Sequence, residues 1–371
     1  MKITKLETFF VRPRWVFLKM HTDEGLTGWG EPAVEGWSRT VAAAVAEMGR
    51  YLVGEDPRRI EHHWQVLHRG GFYRGGPVLT SAISGIEQAM WDITGKALGA
   101  PVHELLGGRV RDRIRLYAHA GGKTVEACAS KAAEKLEAGF TAFKTCPFKA
   151  VRFAEDRRFV DEVVARVAAL RDAVGPEAAI GLDFHGRPSV PTAIRLCHAL
   201  EPMDLMFVEE PCRPEDIDAL AAVARATSIP IAAGERLYTR WGFREVLEKR
   251  AASVIQPDVS HAGGILEVRK IAAMGEVYAA VLAPHCPLGP ISLAACLQVD
   301  AATPNFLCQE HVSLGEGCLK RPLVLRDGCV TVPDGPGLGV EVDEDAMADR
   351  LYDGGWQTPR LWYDDGGLAD W

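Results

Sequence analysis

Residues 1 to about 35 alternate apolar and polar positions, as in Thr8-Phe9-Phe10-Val11 and Trp15-Val16-Phe17-Leu18-Lys19-Met20, with Asp23-Glu24-Gly25 placed as a turn. Period two belongs to strands covered on one face, so an antiparallel meander is expected. From Arg39 to Leu98 the apolar spacing turns helical, punctuated by Pro57 and the glycine-rich stretch Gly70-Gly71-Phe72-Tyr73-Arg74-Gly75-Gly76-Pro77. No strand precedes that stretch and no Gly-Lys-Ser follows it, so it reads as a mobile covering loop rather than a phosphate cradle. After Pro101 and Gly107-Gly108, short apolar runs alternate with helical stretches. The eight candidate strands are Ile114 to His119, Thr141 to Cys146, Ala178 to Phe184, Asp204 to Glu209, Pro230 to Gly234, Ser253 to Gln256, Ala279 to Pro284 and Asn305 to Gln309. Seven helical stretches lie between them. The clearest carries Phe159, Val160, Val163, Val164, Val167, Leu170 and Val174 on one stripe, with Gly175 at its end.

That order predicts an α/β fold, and a parallel barrel rather than an open sheet, because no early G-x-G-x-x-G marks a dinucleotide crevice. Three units are expected: an α+β module over residues 1–112, the barrel over 113–312, and a Gly-, Pro- and Asp-rich segment over 313–371 that is too short to fold alone and packs back on the first module. A chain of 371 residues suits a barrel plus something smaller. The net charge of -8, from 42 basic and 50 acidic residues without long like-charge runs, points away from nucleic acid and anionic membranes. The nine cysteines show no C-x-x-C pairing and several lie inside apolar runs, as buried reduced thiols would. With no signal-peptide pattern and no apolar run of about eighteen residues, a cytoplasmic protein is expected.

Chemistry enters through spacing. Asp183, Glu209 and Glu235 each end an apolar run and lie 26 residues apart, the length of a strand, a helix and two loops. Chemistry in parallel barrels sits where strands end, so the three carboxylates are expected to meet. Three acids without a basic partner call for a cation, and all-oxygen ligation suits Mg²⁺. Glu210 competes with Glu209 as the third donor, and alternation does not choose between them. Asp183 and His185, two apart on a strand end, share a face. Asp258 and His285 end adjacent strands, where the carboxylate would orient the imidazole as a general base. His185 is available as a second proton-transfer group, Glu310 for a hydrogen bond at a substrate carboxylate, and Lys144 for substrate binding.

Lys144, Asp183-x-His185, Val208-Glu209-Glu210-Pro211, Ala233-Gly234-Glu235, Gln256-Pro257-Asp258, His261-Ala262-Gly263-Gly264 and Ala283-Pro284-His285, in that order, resemble the enolase superfamily, mandelate racemase branch. Within it the chain resembles the galactonate dehydratases. The likeness runs from Gly28-Trp29-Gly30-Glu31-Pro32 to Pro336-Gly337-Leu338-Gly339-Val340. The resemblance implies a (β/α)7β modified TIM barrel with a capping domain, Asp183, Glu209 and Glu235 as Mg²⁺ ligands, and His285 with Asp258 as the base. It also implies His185 as the acid, Glu310 as a stabiliser of the transition state, a small sugar acid as substrate, and a homo-oligomer. The expected reaction is loss of water from the acid through an ene-diolate. Another aldonate or aldarate, or an isomerase or racemase using the same intermediate, is the alternative. Two-face racemisation is disfavoured, because Lys144-Thr145-Cys146 stands where many racemases carry Lys-x-Lys. Galactonate dehydratases tend to have Asn where Cys146 stands, and a longer segment after Glu310. Substrate contacts are expected from the loops near Arg14 to Met20 and Phe72 to Pro77.

Overall fold

A computed structural model describes residues 1–371. The chain opens on an antiparallel sheet of β1 (Ile3–Val11), β2 (Trp15–Thr22) and β3 (Thr27–Gly30), then α1 (Ser38–Leu52), α2 (Ile60–Arg69), α3 (Pro77–Leu98) and the short α4 (Val102–Leu105). The β1–β2 register pairs Phe9 with Phe17 and Val11 with Trp15; β2 is buried on both faces rather than one, with Leu18 and Met20 packed with α3 and Trp15 and Phe17 joined to the larger core that includes the barrel. Close packing demands glycine there. A Cβ on Gly28 or Gly30 would stand 2.2 and 1.9 Å from the Ala89 and Gly85 carbonyls of α3.

The barrel follows, with β4 (Arg113–His119), α5 (Val125–Glu137), β5 (Ala142–Thr145), α6 (Arg157–Val174), β6 (Ala179–Asp183), α7 (Val190–Leu200), β7 (Phe207–Glu209), α8 (Ile217–Arg225), β8 (Ile231–Ala233), α9 (Thr239–Glu248), β9 (Val254–Ile255), α10 (Ile265–Val277), β10 (Val281–Leu282), α11 (Pro290–Ala302) and β11 (Gln309–Glu310). Strands β4 to β10 pair in parallel and in chain order. The ring closes because the last strand bonds both neighbours: Gln309 and Glu310 pair with Leu116 and Tyr117 of β4, and Phe306 bridges Leu282 of β10. Helix α6 shows how the pattern works. Asp156 accepts the Phe159 N–H at 2.9 Å as its N-cap, Val160, Val163, Val167, Leu170 and Val174 are buried, and Gly175 ends the helix at φ +80°. Phe159 and Val164, which flank the stripe, are only partly buried.

Two carboxylates of the first module reach into the barrel. Glu31, just past β3, accepts the Gly289 and Ser292 N–H groups at 2.6 and 2.9 Å at the start of α11. Glu87 of α3 accepts those of Ile265 and Leu266 at 2.8 and 2.9 Å at the start of α10. Both are fully buried, and burial lifts Glu31 to about 8 and Glu87 to about 7 while the helix N–H groups pull the other way.

The stretch after residue 312 divides its contacts between the modules. A hairpin of β12 (Leu325–Arg326) and β13 (Cys329–Thr331) pairs antiparallel with the start of β4, and Leu351 bridges Val11 of β1. The final hairpin, β13's successor pair β14 (Leu361–Trp362) and β15 (Leu368–Ala369), lies against barrel loops through a Tyr363 Oη hydrogen bond to the Val151 carbonyl at 2.9 Å. All nine cysteines are free thiols, and seven are buried. No helix is long and apolar enough to cross a membrane.

Candidate active site

Register brings the acids together. Asp183 and Glu209 are direct partners on β6 and β7, strands about 4.8 Å apart. Glu235 lies two residues past β8, where the chain bends at Gly234 with φ +147°. A Cβ on that glycine would come within 2.8 Å of Gln256 N, so only glycine permits the bend. One oxygen from each of Asp183, Glu209 and Glu235 lies within 4.8 Å of the others. Glu210 takes no part. It sits at φ +42° and pairs with Arg236 through both oxygens.

The premise that these acids lack a basic partner does not hold. Lys144 Nζ stands 2.9 and 3.0 Å from the two Glu209 oxygens, 2.9 Å from Glu310 and 3.5 Å from Asp183. One ammonium is outnumbered by the carboxyl groups around it, however. Burial, then the Asp183 charge, pushes Glu209 well above the usual carboxylate range, and burial with Glu210 and Asp183 does the same to Glu235. A donor set of carboxylate oxygens only, in excess of the local positive charge, fits a hard divalent cation.

Two imidazoles flank the acids. His285 Nε2 is 3.3 Å from Glu235 Oε2, while its Nδ1 donates to Asp258 Oδ2 at 2.8 Å. Asp258 is fully buried and its other oxygen accepts the Ser260 N–H at 2.6 Å, so the carboxylate cannot turn away. Burial lowers the His285 imidazole, but Glu310 and the Asp258 bond outweigh it and hold it at about 9. His185 lies beyond the end of β6, which stops at Asp183; it reaches the shared face through a left-handed residue at φ +51°, not through strand alternation. Its N–H donates to Asp183 Oδ1 at 2.9 Å and its Nε2 lies 3.2 Å from Oδ2. Burial brings its imidazole down to about 4, with Asp183 opposing.

Glu310 accepts from the Cys286 N–H at 2.8 Å through Oε2, and His119 Nε2 and Lys144 Nζ each lie 2.9 Å from Oε1. Against burial, Lys144 and His285 hold it well below the ordinary range. His119, at the end of β4, escaped the sequence reading, although it ends a barrel strand as the other site residues do. His119, Lys144, Asp183, His185, Glu235, His285 and Glu310 line one cavity of about 370 Å³, a volume suited to a small ligand, while Glu209 and Asp258 lie behind its wall. Arg14 and Glu35 enter it from the first module, joined by a 2.7 Å ion pair, and Trp371 enters from the chain's far end. Residues Phe72 to Pro77 do not line it, contrary to expectation. Phe72 and Tyr73 are exposed and pack on each other, edge to face at 5.3 Å between centroids.

Residues 7–107 match the family described as mandelate racemase / muconate lactonizing enzyme, N-terminal domain, and residues 127–346 match the enolase C-terminal domain-like family. Across the whole of both chains, the protein is 49% identical to D-galactonate dehydratase of Ralstonia nicotianae and 48% identical to that of Variovorax paradoxus. Among solved structures, a mandelate racemase/muconate lactonizing enzyme-like protein from Roseovarius sp. TM1035 superposes with a TM-score of 0.90 at 34% identity, covering 97% of this chain and 98% of that one. An enolase superfamily member from Salmonella Typhimurium gives 0.88 at 32% identity, covering 94% and 97%. The chain therefore belongs to the mandelate racemase and muconate lactonizing enzyme family of the enolase superfamily.

Proposed function

We propose that the protein dehydrates a sugar acid, D-galactonate, to its 2-keto-3-deoxy acid with the help of Mg²⁺. The observation that carries this reading is that two imidazoles abut different members of one carboxylate cluster, His185 at Asp183 and His285 at Glu235. Removing a C2 proton and a C3 hydroxyl needs one base and one acid at neighbouring carbons. The D-galactonate dehydratases that match over the whole chain support the choice of substrate.

Asp183, Glu209 and Glu235 would hold the ion, whose charge serves to bind the substrate's acid group and to stabilise the negative charge that builds there on deprotonation. His285 takes the C2 proton on Nε2, since Asp258 fixes the other ring proton on Nδ1 and a cation held by the neighbouring acids would offset the negative charge that otherwise keeps the ring protonated. His185 gives a proton to the C3 hydroxyl, which leaves as water. Burial disfavours the protonated ring, and a substrate anion bound beside it would favour that form. The enol left behind picks up a proton at C3 and becomes the 2-keto acid. Glu310 acts as a positioning group, because both of its oxygens are taken up in holding His119, Lys144 and the Cys286 N–H.

A lysine-based second face is not supported. Lys144 is committed to carboxylates, and Cys146 lies against the Phe148 carbonyl and Arg187. The test is a panel of aldonic and aldaric acids with Mg²⁺, assayed for 2-keto-3-deoxy products. D-Galactonate should be consumed. Neither product nor C2 deuterium exchange from any acid in the panel would overturn the assignment.

A further inference from the structure

The final hairpin delivers one side chain to the cavity from a segment that no barrel strand carries. Trp371 lines it, with its indole edge-on to the His185 imidazole at 5.2 Å between centroids. Several anchors hold it there. Arg152 pairs with Asp365 at 3.0 Å, Arg213 pairs with Asp370 at 2.8 Å, and the Arg187 guanidinium stands 5.9 Å from the indole centroid. Ala369, two residues before the tryptophan, is buried. Apart from imidazoles, Trp371 is the one aromatic group in a lining otherwise dominated by charge.

We propose that Trp371 is a specificity-determining wall: it packs on the carbons beyond C3 of the substrate, selects aldonic acids with a long polyol tail over three-carbon acids, and shields His185 from solvent. The proposal rests on the dehydration reading, which puts C3 at His185. The rest of the substrate must then run past the residue next to that imidazole. An indole offers a flat apolar face to the C–H side of a sugar chain, while charged groups such as Arg14 and Glu35 are left for its hydroxyls. Binding energy drawn from the distant end of a substrate is a recognised source of rate at the reacting end.

The experiment compares Trp371→Ala, Trp371→Phe and Asp370→Asn with the wild type. Asp370→Asn weakens the Arg213 attachment without touching the cavity. For D-galactonate, kcat/KM should fall about ten- to a hundredfold in Trp371→Ala, recover largely in Trp371→Phe, and fall by a smaller factor in Asp370→Asn. Competitive inhibition by D-glycerate should stay within about twofold, since its chain ends at C3. In substrate-free protein, labelling of His185 by diethyl pyrocarbonate, read by peptide mass spectrometry, should quicken severalfold in Trp371→Ala. Parallel losses for the six- and three-carbon acids, or unchanged kcat/KM or labelling, overturn the proposal. A wild type inert towards D-galactonate would instead refute the dehydration reading, and the labelling arm would still decide whether Trp371 covers His185. Should Trp371→Ala fail to fold by circular dichroism, Trp371→Phe and Asp370→Asn carry the same comparison.

Discussion

Replacing Asp258 by Asn removes one charge and one acceptor from a side chain that serves two donors. In the wild type, Oδ2 accepts from His285 Nδ1 at 2.8 Å and Oδ1 from the Ser260 N–H at 2.6 Å. A hydrogen bond to an ionised acceptor is worth about 1.5–3 kcal/mol, and one to a neutral acceptor about 0.5–1.5. If the amide oxygen turns to His285, about 1–1.5 kcal/mol is lost, roughly a tenfold drop in rate. If it stays with Ser260, the amide NH₂ faces Nδ1 and drives the ring proton onto Nε2, the nitrogen that must take the substrate's proton. The loss is then about 10⁴-fold, the size associated with a base stranded in the wrong tautomer. The second outcome is favoured, because the backbone N–H cannot move and Asp258 is fully buried. Steady-state kcat/KM for D-galactonate and C2 deuterium exchange should fall together by more than a hundredfold, with Mg²⁺ saturating and the circular dichroism spectrum unchanged. A variant within threefold of wild type in both assays would refute the pairing of Asp258 with a base.

His185→Asn should abolish water loss yet leave measurable C2 exchange, followed by NMR in D₂O; loss of both would make His185 more than the acid. Mg²⁺ at about a hundred times its dissociation constant should stabilise the wild type by about 2.7 kcal/mol. Glu235→Gln should need a much higher concentration for the same shift in melting temperature, and an identical titration would remove Glu235 from the ion's site. His311, stacked on Phe140 at 5.3 Å and donating to the Tyr117 carbonyl at 3.1 Å, is held by burial at about 4. The unfolded chain binds its proton from about 6.5 downward, so stability is full above that pH and declines as pH falls towards 4. Between pH 6.5 and 5 the loss from this group is about 1.6 kcal/mol. His311→Phe, which cannot titrate, should lose less by that amount in urea unfolding; equal losses would exonerate the imidazole.

The repeating unit was legible because each barrel strand is bounded by the helix it must pack against, and a 26-residue interval survives ignorance of the loops. That spacing carried the acids to neighbouring strand ends. It could not separate Glu209 from Glu210, since the choice depends on a left-handed residue at 210 and on Arg236, neither of which periodicity encodes. Likewise the sequence placed His185 beside Asp183 for the wrong reason, as a backbone turn does the work assigned to pleating. Lys144 was recognised at a strand end, but its role as counter-charge needed three dimensions. Trp371 lies 186 positions from His185 and no local pattern links them.

Glu31 and Glu87 fasten the first module to the barrel at two heights, each gripping the start of a helix. Parting the modules would strand two buried acids and four backbone donors at once, so a hinge that opens between them is costly. The same rivets limit chimeras: a first module borrowed from a relative brings its substrate preference along only if it also brings an acid at both of these positions.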